Sequence, residues 1–265
     1  MKQEDILYEQ TGDVGVLTLN RPERLNALSG DMVVGALQTL NKIAAEGSAR
    51  ALVITGAGRG FCSGADLAGG QGDSRLEDSA GHLGDGMRQG INPLIQGIVE
   101  APFPVIAAVN GPAAGAGVGI ALAADFMIAS ESMQLLLTFS RIGMGLDAGT
   151  SWFLSRQLGM RRATAISMLV EPIDASKAEQ WGLAWSATAD KDLMPETMKL
   201  ANQLATGPTH AFAAQKRQIR EAKEITLAEA LDREADVQDE LIKSEDLKEG
   251  ITAFRERRQA IYSGR

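Results

Sequence analysis

Two glycine-rich turns contain the residue types and spacing in this 265-residue chain that could support chemistry. The first covers residues 58–67 and the second residues 110–119. Each follows a short apolar run, 51–55 and 105–109, typical of a strand buried on both faces. Turns of this kind expose backbone N–H groups, and a helix that starts there adds the positive end of its dipole. Two converging donors would form an oxyanion hole for a thioester carbonyl.

Two other interpretations of the turns stay open at this point. Glycine turns after strands often serve only to close the backbone of an α/β fold. A dinucleotide site is the second alternative, but Gly115, Gly117 and Gly119 are spaced G-x-G-x-G rather than G-x-G-x-x-G. Spacing alone therefore leaves the function undecided.

The elements that must position these turns follow from hydrophobic periodicity. Apolar runs predict strands at 14–19, 51–55, 105–109 and 126–129, with a brief one at 183–185. Apolar residues from Met32 to Ile43 repeat at helical spacing, with Ser29 or Asp31 as the cap. Alternation of helix and buried strand indicates an α/β fold. Residues 69–90 are predicted to form a flexible loop, and further helices are predicted at 151–158, 160–169, 175–181, 194–206, 209–222 and 227–242.

The charge, hydropathy, cysteine and histidine content of the chain limits which ligands and cellular settings are expected. A formal net charge of −8 argues against nucleic acid, because phosphate binding needs clustered basic residues. Residues 1–5 are charged and lack the apolar core of a secretory signal, so none is expected, and no run reaches the ~18 apolar residues of a membrane span. With Cys62 as the single cysteine, a reducing, cytoplasmic setting is expected, and Cys62 is predicted to pack in its turn. His82 and His210 lie far apart, so no metal site is expected.

Three segments, 19–28, 61–67 and 109–117, resemble the signature segments of the enoyl-CoA hydratase/isomerase (crotonase) superfamily. They occur in the family's order and near its intervals, and the similarity extends to a terminal helix motif at 254–258. The resemblance implies a crotonase-like spiral of ββα/βαβ units with a helical C-terminal region. We expect residues 1–200 to form the spiral core and 201–265 an oligomerisation region, in trimers or hexamers.

The resemblance also implies a site for an acyl-CoA substrate. The backbone N–H groups of Ala65 and Ala116 would form the oxyanion hole, although the family usually has glycine at the second position. Arg24 is a candidate for the CoA phosphates, or else a solvated surface arginine. Coenzyme A enters as part of the substrate, so no other cofactor is expected. The other residues that the resemblance assigns to CoA binding are Asn26, Ala27, Ala65, Asp66 and Leu67. Asp66 is also a candidate cap for a following helix.

The reaction type depends on the carboxylates. Hydratases of the family place two glutamates over the thioester, and this chain has Gly119 and Phe139 at the corresponding positions. Neither can transfer a proton, so the two-glutamate hydratase mechanism is disfavoured. Asp147 remains, in a segment similar to those of the phenylacetate-pathway ring-epoxide isomerase and the 4-chlorobenzoyl-CoA dehalogenase. Phe139, Met144 and Met87 could line an acyl pocket or belong to the core.

The favoured hypothesis is a CoA-thioester isomerase in which Asp147 shuttles a proton through an enolate. Four alternatives stay open. Asp147 could cap the helix near Thr150, or act as a nucleophile in a hydrolase or dehalogenase; the dehalogenase also uses a histidine near the position of Gln96. The chain could be an unusual hydratase. It could also be a non-catalytic acyl-CoA-binding protein.

Overall fold

A six-stranded sheet forms the centre of the chain, which a computed structural model describes over residues 5–67 and 82–264. In chain order the strands are β1 (Ile6–Thr11), β2 (Val14–Leu19), β3 (Ala51–Gly56), β4 (Val105–Val109), β5 (Ala113–Ala114), β6 (Phe126–Ser130), β7 (Gln134–Leu136), β8 (Ile173–Asp174) and β9 (Ser186–Thr188). The order across the large sheet is β1-β2-β3-β4-β6-β9. All its neighbouring pairs are parallel except β1 with β2. Strands β5, β7 and β8 form a second, small sheet.

Helices connect the strands and make up most of the second half of the chain. They are α1 (Gly30–Glu46), α2 (Leu83–Gln89), α3 (Ile91–Glu100), α4 (Ala116–Ala123), α5 (Thr150–Leu158), α6 (Met160–Leu169), α7 (Ala175–Gln180), α8 (Leu193–Ala205), α9 (Thr209–Glu221), α10 (Leu227–Leu241) and α11 (Glu245–Glu256). Local capping explains several starts: the Ser29 hydroxyl accepts from the Met32 N–H at the start of α1. Thr226 and Glu229 form a reciprocal capping box at the start of α10. Among the described residues, no helix is both long and apolar enough to cross a membrane.

The central strands of the large sheet are buried on both faces, which explains why they are continuous apolar runs. Every residue of β3 is buried. Leu52 and Ile54 point into a core shared with α1, α3 and α4. The intervening Ala51 and Val53 pack on the opposite face, against α8. Because α4 lies in the first of these cores, the sheet fixes the position of the second glycine-rich turn.

A buried ion-pair cluster attaches α9 to the edge of the core. The Asp125 carboxylate, on the segment between α4 and β6, accepts from Lys216 Nζ at 2.7 Å and from Arg220 Nη2 at 2.9 Å. It also accepts from the Val105 N–H at 2.9 Å. Lys216 is partly buried, and this burial lowers its pKa more than the neighbouring Asp125 charge raises it. Asp125 thus joins the sheet to the C-terminal helices.

The predicted fold class and most predicted elements are confirmed. Strands 14–19, 51–55, 105–109 and 126–129 occur within one residue of the predicted bounds, and Ser29 is the cap of α1. Two predictions were wrong, and β1, the short strands β5, β7 and β8 and helix α3 were not predicted. Strand β1 was missed because it is an edge strand whose residues are exposed or only partly buried. The strand predicted at 183–185 begins instead at Ser186. The loop predicted at 69–90 contains helix α2 in its described part, and residues 69–81 lie outside that part. The domain boundary between residues 200 and 201 stays a prediction.

Candidate active site

The two glycine-rich turns lie side by side and hydrogen-bond to each other. The Phe61 N–H donates to the Pro112 carbonyl at 3.0 Å, and the Ala114 N–H donates to the Cys62 carbonyl at 2.8 Å. Gly64 has a φ of +89°, and a Cβ there would lie 2.8 Å from the Ala114 carbonyl oxygen. Only glycine satisfies both the conformation and the spacing. The first turn is therefore seated directly against the start of α4.

The backbone N–H groups of Ala65 and Ala116 are positioned by different elements of this pair of turns. A β-bridge to Leu28 uses the Gly64 carbonyl and the Asp66 N–H, so it leaves the Ala65 N–H unused. Ala116 is the first residue of α4, so its N–H has no acceptor within the helix. Among the described residues neither N–H donates to another backbone group. Both residues line one cavity.

That cavity has a volume of about 590 Å³ and is mainly apolar. It lies between the two turns, α1, α2 and the turn that precedes α5. The predicted pocket residues Phe139, Met144 and Met87 all line it. Other apolar side chains in its wall are Leu28, Val33, Val34, Leu67, Leu83, Ile91 and Ile142. Such a cavity has the size and apolar lining of a small-molecule site, with two free backbone donors in its described wall.

Asp147 lines the same cavity, on the turn between residue 143 and α5. It is partly buried, and its Oδ1 atom is buried without a hydrogen-bond partner in the described part of the protein. Burial raises the pKa of Asp147 to about 6, because the carboxylate loses water that nothing replaces. No other titratable side chain is among the described residues of the cavity wall. A carboxyl group with this pKa can both accept and return a proton near neutral pH.

The alternative in which Asp147 caps α5 is wrong. The residue at the cap position is Gly149, and no side chain bonds to the first turn of the helix. Asp147 instead uses its backbone carbonyl, which accepts from the Thr150 N–H at 2.9 Å and from the Thr150 hydroxyl at 2.8 Å. These bonds fix the backbone of the turn. The carboxylate is left in the cavity.

Positions 119 and 139 correspond to the two glutamates of the family's hydratases, and Gly119 and Phe139 are both part of the packed interior here. Phe139 is buried, and its ring lies against the start of α4. Gly119 is buried in α4, directly against Ala148. Gln96, near the position of the dehalogenase histidine, is exposed and is not among the described residues of the cavity wall. Asp147 is thus the one acidic side chain in the described wall of the cavity that Ala65 and Ala116 also line.

The residues assigned to CoA fall into two groups. Arg24 has a half-exposed side chain, and Ala65 and Leu67 are exposed at the cavity mouth. In contrast, Asn26 and Ala27 are buried. The Asn26 amide bonds to the Arg21 N–H and to the carbonyls of Ala57 and Gly60, so it holds the first turn rather than contacting a ligand.

Asp66 is paired with two arginines. Its carboxylate accepts from Arg21 Nη2 at 2.8 Å and from Arg24 Nη1 at 3.2 Å. The prediction that Asp66 caps a following helix concerns residues after 67 that lie outside the described part. Arg21 was missed at the sequence level because its partner is 45 residues away along the chain. The Asp66 charge orients Arg24 at the edge of the site.

Cys62 packs inside the first turn, as predicted. It is completely buried, and burial raises the pKa of its thiol to about 12. A neutral, inaccessible thiol is a poor nucleophile. Cys62 is therefore a structural residue.

Comparison with known proteins agrees with this geometry. A family model described as enoyl-CoA hydratase/isomerase matches residues 9–265. The chain belongs to the enoyl-CoA hydratase/isomerase family. A family relative from Rhodobacter capsulatus, named "Probable enoyl-CoA hydratase", is 43% identical over 100% of both chains. The 1,2-epoxyphenylacetyl-CoA isomerase of Escherichia coli is 38% identical over 99% of both. The crystal structure of an enoyl-CoA hydratase from Bacillus anthracis superimposes with a TM-score of 0.90 at 30% identity, covering 98% of this chain and 100% of that one.

Proposed function

We propose that this chain is an acyl-CoA isomerase in which Asp147 moves a proton along an enolisable thioester. The observation that carries the proposal is Asp147, whose Oδ1 atom has no hydrogen-bond partner among the described residues and which lines the same cavity as Ala65 and Ala116. The 38% identical relative is named an isomerase, which supports this choice. The 43% identical relative is named a hydratase, so hydration is the competing reaction that an experiment must measure.

The first step is activation of the thioester. The N–H groups of Ala65 and Ala116 donate to the carbonyl oxygen, where negative charge develops. Each such donor typically contributes about 3–4 kcal/mol to the stability of the transition state. The donors belong to the backbone, so alanine at position 116 serves as well as the family's usual glycine.

The second step is proton transfer. Ionised Asp147 removes a proton from C2 of a 3-enoyl thioester, and the electron pair moves onto the carbonyl oxygen as a dienolate. The protonated Asp147 then returns the proton at C4, which leaves the double bond between C2 and C3. A positioned acid/base of this kind contributes roughly 10²–10⁴-fold to the rate. A pKa of about 6 lets the same group serve in both directions.

Hydration is disfavoured on the same geometry. Water addition needs one group to activate water and another to deliver a proton, a task that the family's hydratases divide between two glutamates. Gly119 and Phe139 stand at those positions, and the described cavity wall holds one titratable group. We therefore expect isomerisation to be much faster than hydration.

Recognition of CoA is proposed for the surface beside the cavity mouth. Arg24 is the candidate for the phosphates, since its guanidinium is partly exposed and is oriented by Asp66. Ala65 and Leu67 would contact the pantetheine end of the thioester. Assembly into trimers or hexamers through the C-terminal helices stays a prediction of the family resemblance.

The experiment follows the ultraviolet spectrum of two substrates with the purified protein. Appearance of conjugated 2-enoyl-CoA from 3-enoyl-CoA is the expected result, with little loss of absorbance when 2-enoyl-CoA is the substrate. Efficient hydration of 2-enoyl-CoA without isomerisation contradicts the proposal. Tight binding of both thioesters with no turnover would indicate a binding protein, and incorporation of solvent ¹⁸O into Asp147 during turnover would indicate nucleophilic attack.

A further inference from the structure

Helix α4 and the turn that carries Asp147 touch at Gly119. A Cβ on Gly119 would lie 2.3 Å from the carbonyl oxygen of Ala148 and 2.6 Å from its Cβ. The first of these atoms belongs to the backbone and the second is fixed to it, so neither can rotate away. The two elements are therefore as close as glycine permits, and any side chain at this position must move the turn.

The turn is fixed on its other sides as well. Ala148 is buried and has a φ of +47°, which is unusual for a residue with a Cβ. The buried Thr150 holds the Asp147 carbonyl by two hydrogen bonds. A non-glycine residue stays in such a conformation only when its surroundings impose it. The contact with α4 is one of those constraints, and it lies one residue from Asp147.

We propose that Gly119 is a positioning residue, whose missing side chain seats the turn against α4 and thereby places the Asp147 carboxylate beside the oxyanion hole. A glutamate at position 119 and the present turn would exclude each other sterically. One residue of α4 thus decides whether the proton-transferring group of this site comes from the helix or from the turn. The kinetic part of this inference rests on the proposed function, but the placement of Asp147 does not.

The surroundings make the pKa of Asp147 a reporter of its placement. Helix α4 has no titratable residue. The charged residues on the other neighbouring elements do not line the cavity: they are Asp31, Lys42 and Glu46 on α1, Arg59 and Asp66 on the first turn, Asp85 and Arg88 on α2, Glu100 on α3, Arg141 before the turn and Arg156 on α5. The shift therefore follows burial alone, and a turn displaced toward water should lose it.

The test compares Gly119→Ala with Gly117→Ala on the same helix. A Cβ on Gly117 would lie 2.2 Å from the Cys62 carbonyl oxygen, so this control causes a similar overlap with the other turn. The pKa of Asp147 is measured by ¹³C NMR of aspartate-carboxyl-labelled protein, with Asp147→Asn for assignment. We expect Gly119→Ala to return that pKa toward its ordinary value and to lower kcat by about 100-fold with KM little changed. Gly117→Ala should lower kcat but leave the pKa of Asp147 near 6.

A second variant, Ala148→Gly, decides the question if Gly119→Ala does not fold. Glycine suits the φ of +47°, and it removes the methyl group that faces α4, so the turn is loosened without strain. We expect the same two changes, smaller in size. An unchanged pKa of Asp147 in the folded variants would overturn the inference. If the pKa shifts but Asp147→Asn keeps full turnover, the proposed function fails while the positioning role stands.

Discussion

Asp147 and Ala116 line one cavity from two different elements, the turn before α5 and the first residue of α4. The carboxylate has no hydrogen-bond partner at Oδ1 in the described structure, and the Ala116 N–H has no acceptor within its helix. Two unsatisfied polar groups around a mainly apolar cavity are a cost to the folded protein. A substrate with an acidic C–H beside a thioester carbonyl would satisfy both.

The pH dependence of turnover should report the ionisation of Asp147. Its pKa is raised to about 6, and the base form exists above that value. We therefore expect kcat/KM for isomerisation to rise with pH through a midpoint near 6 and then to level off, because kcat/KM follows the ionisation of the free enzyme. The measurement is initial rates at 3-enoyl-CoA concentrations well below KM. A flat profile between pH 4.5 and 8 would rule out a single carboxylate base of this pKa.

The same shift predicts an unusual stability change. Because the folded pKa lies above the unfolded one, Asp147 favours the folded state fully below the unfolded pKa, and this contribution is lost as pH rises through about 6. Asp147→Asn should therefore stabilise the protein at pH 8 by about 1–2 kcal/mol, allowing for partial exposure, and much less at pH 4. Urea denaturation at both values measures it. Equal effects at the two values would contradict the assigned pKa.

The oxyanion hole can be tested through the glycine that shapes it. Gly64→Ala introduces a Cβ 2.8 Å from the Ala114 carbonyl at a φ of +89°, so the Ala65 N–H should move. We expect kcat to fall by about 10²-fold or more. Gly12→Ala is the control, since Gly12 also has a positive φ (+59°) but nothing within 4 Å. It should cost stability without lowering kcat, and equal activity of the two variants would place the donors elsewhere.

The attachment of α9 should depend on Asp125. Asp125→Asn leaves Lys216 and Arg220 without their counter-charge in a largely buried setting. Breaking such a cluster costs roughly 3 kcal/mol in free energy of unfolding. The exposed pair Lys248–Glu245 provides the control, and Glu245→Gln should cost less than about 0.5 kcal/mol. Denaturant titration of both variants gives the comparison, and similar losses would contradict a structural role for Asp125.

Much of the fold was predictable because the central strands are buried on both faces. Val105 to Val109 and Ala51 to Ile54 have no polar alternation, which predicts parallel strands covered by helices, as found. Elements at the edge of the fold have a weaker hydrophobic pattern in the sequence. Strand β1 is only partly buried, and α2 has no buried residue among those described, so neither left a clear periodic pattern.

The sequence predicted which residues line the candidate site, but not the hydrogen bonds that hold them in place. Ala65, Ala116 and Asp147 do meet at one cavity. Sequence could not show that the Asn26 side chain is used inside the fold, or that Arg21 shares Asp66 with Arg24, because these partners lie 31 to 45 residues apart. Nor could the sequence exclude Asp147 as a helix cap. The start of α5, which has no side-chain cap bond, excludes that role, and the catalytic role stays a prediction.

The most direct test of Asp147 as the proton carrier is turnover of 3-enoyl-CoA in D₂O, followed by NMR, with wild-type protein and with Asp147→Asn. We predict that wild type forms 2-enoyl-CoA and exchanges deuterium into the α position of recovered substrate. Asp147→Asn should bind the same thioester but lose both reactions by about 10²–10⁴-fold. Equal exchange and conversion by a folded Asp147→Asn protein would show that another group moves the proton.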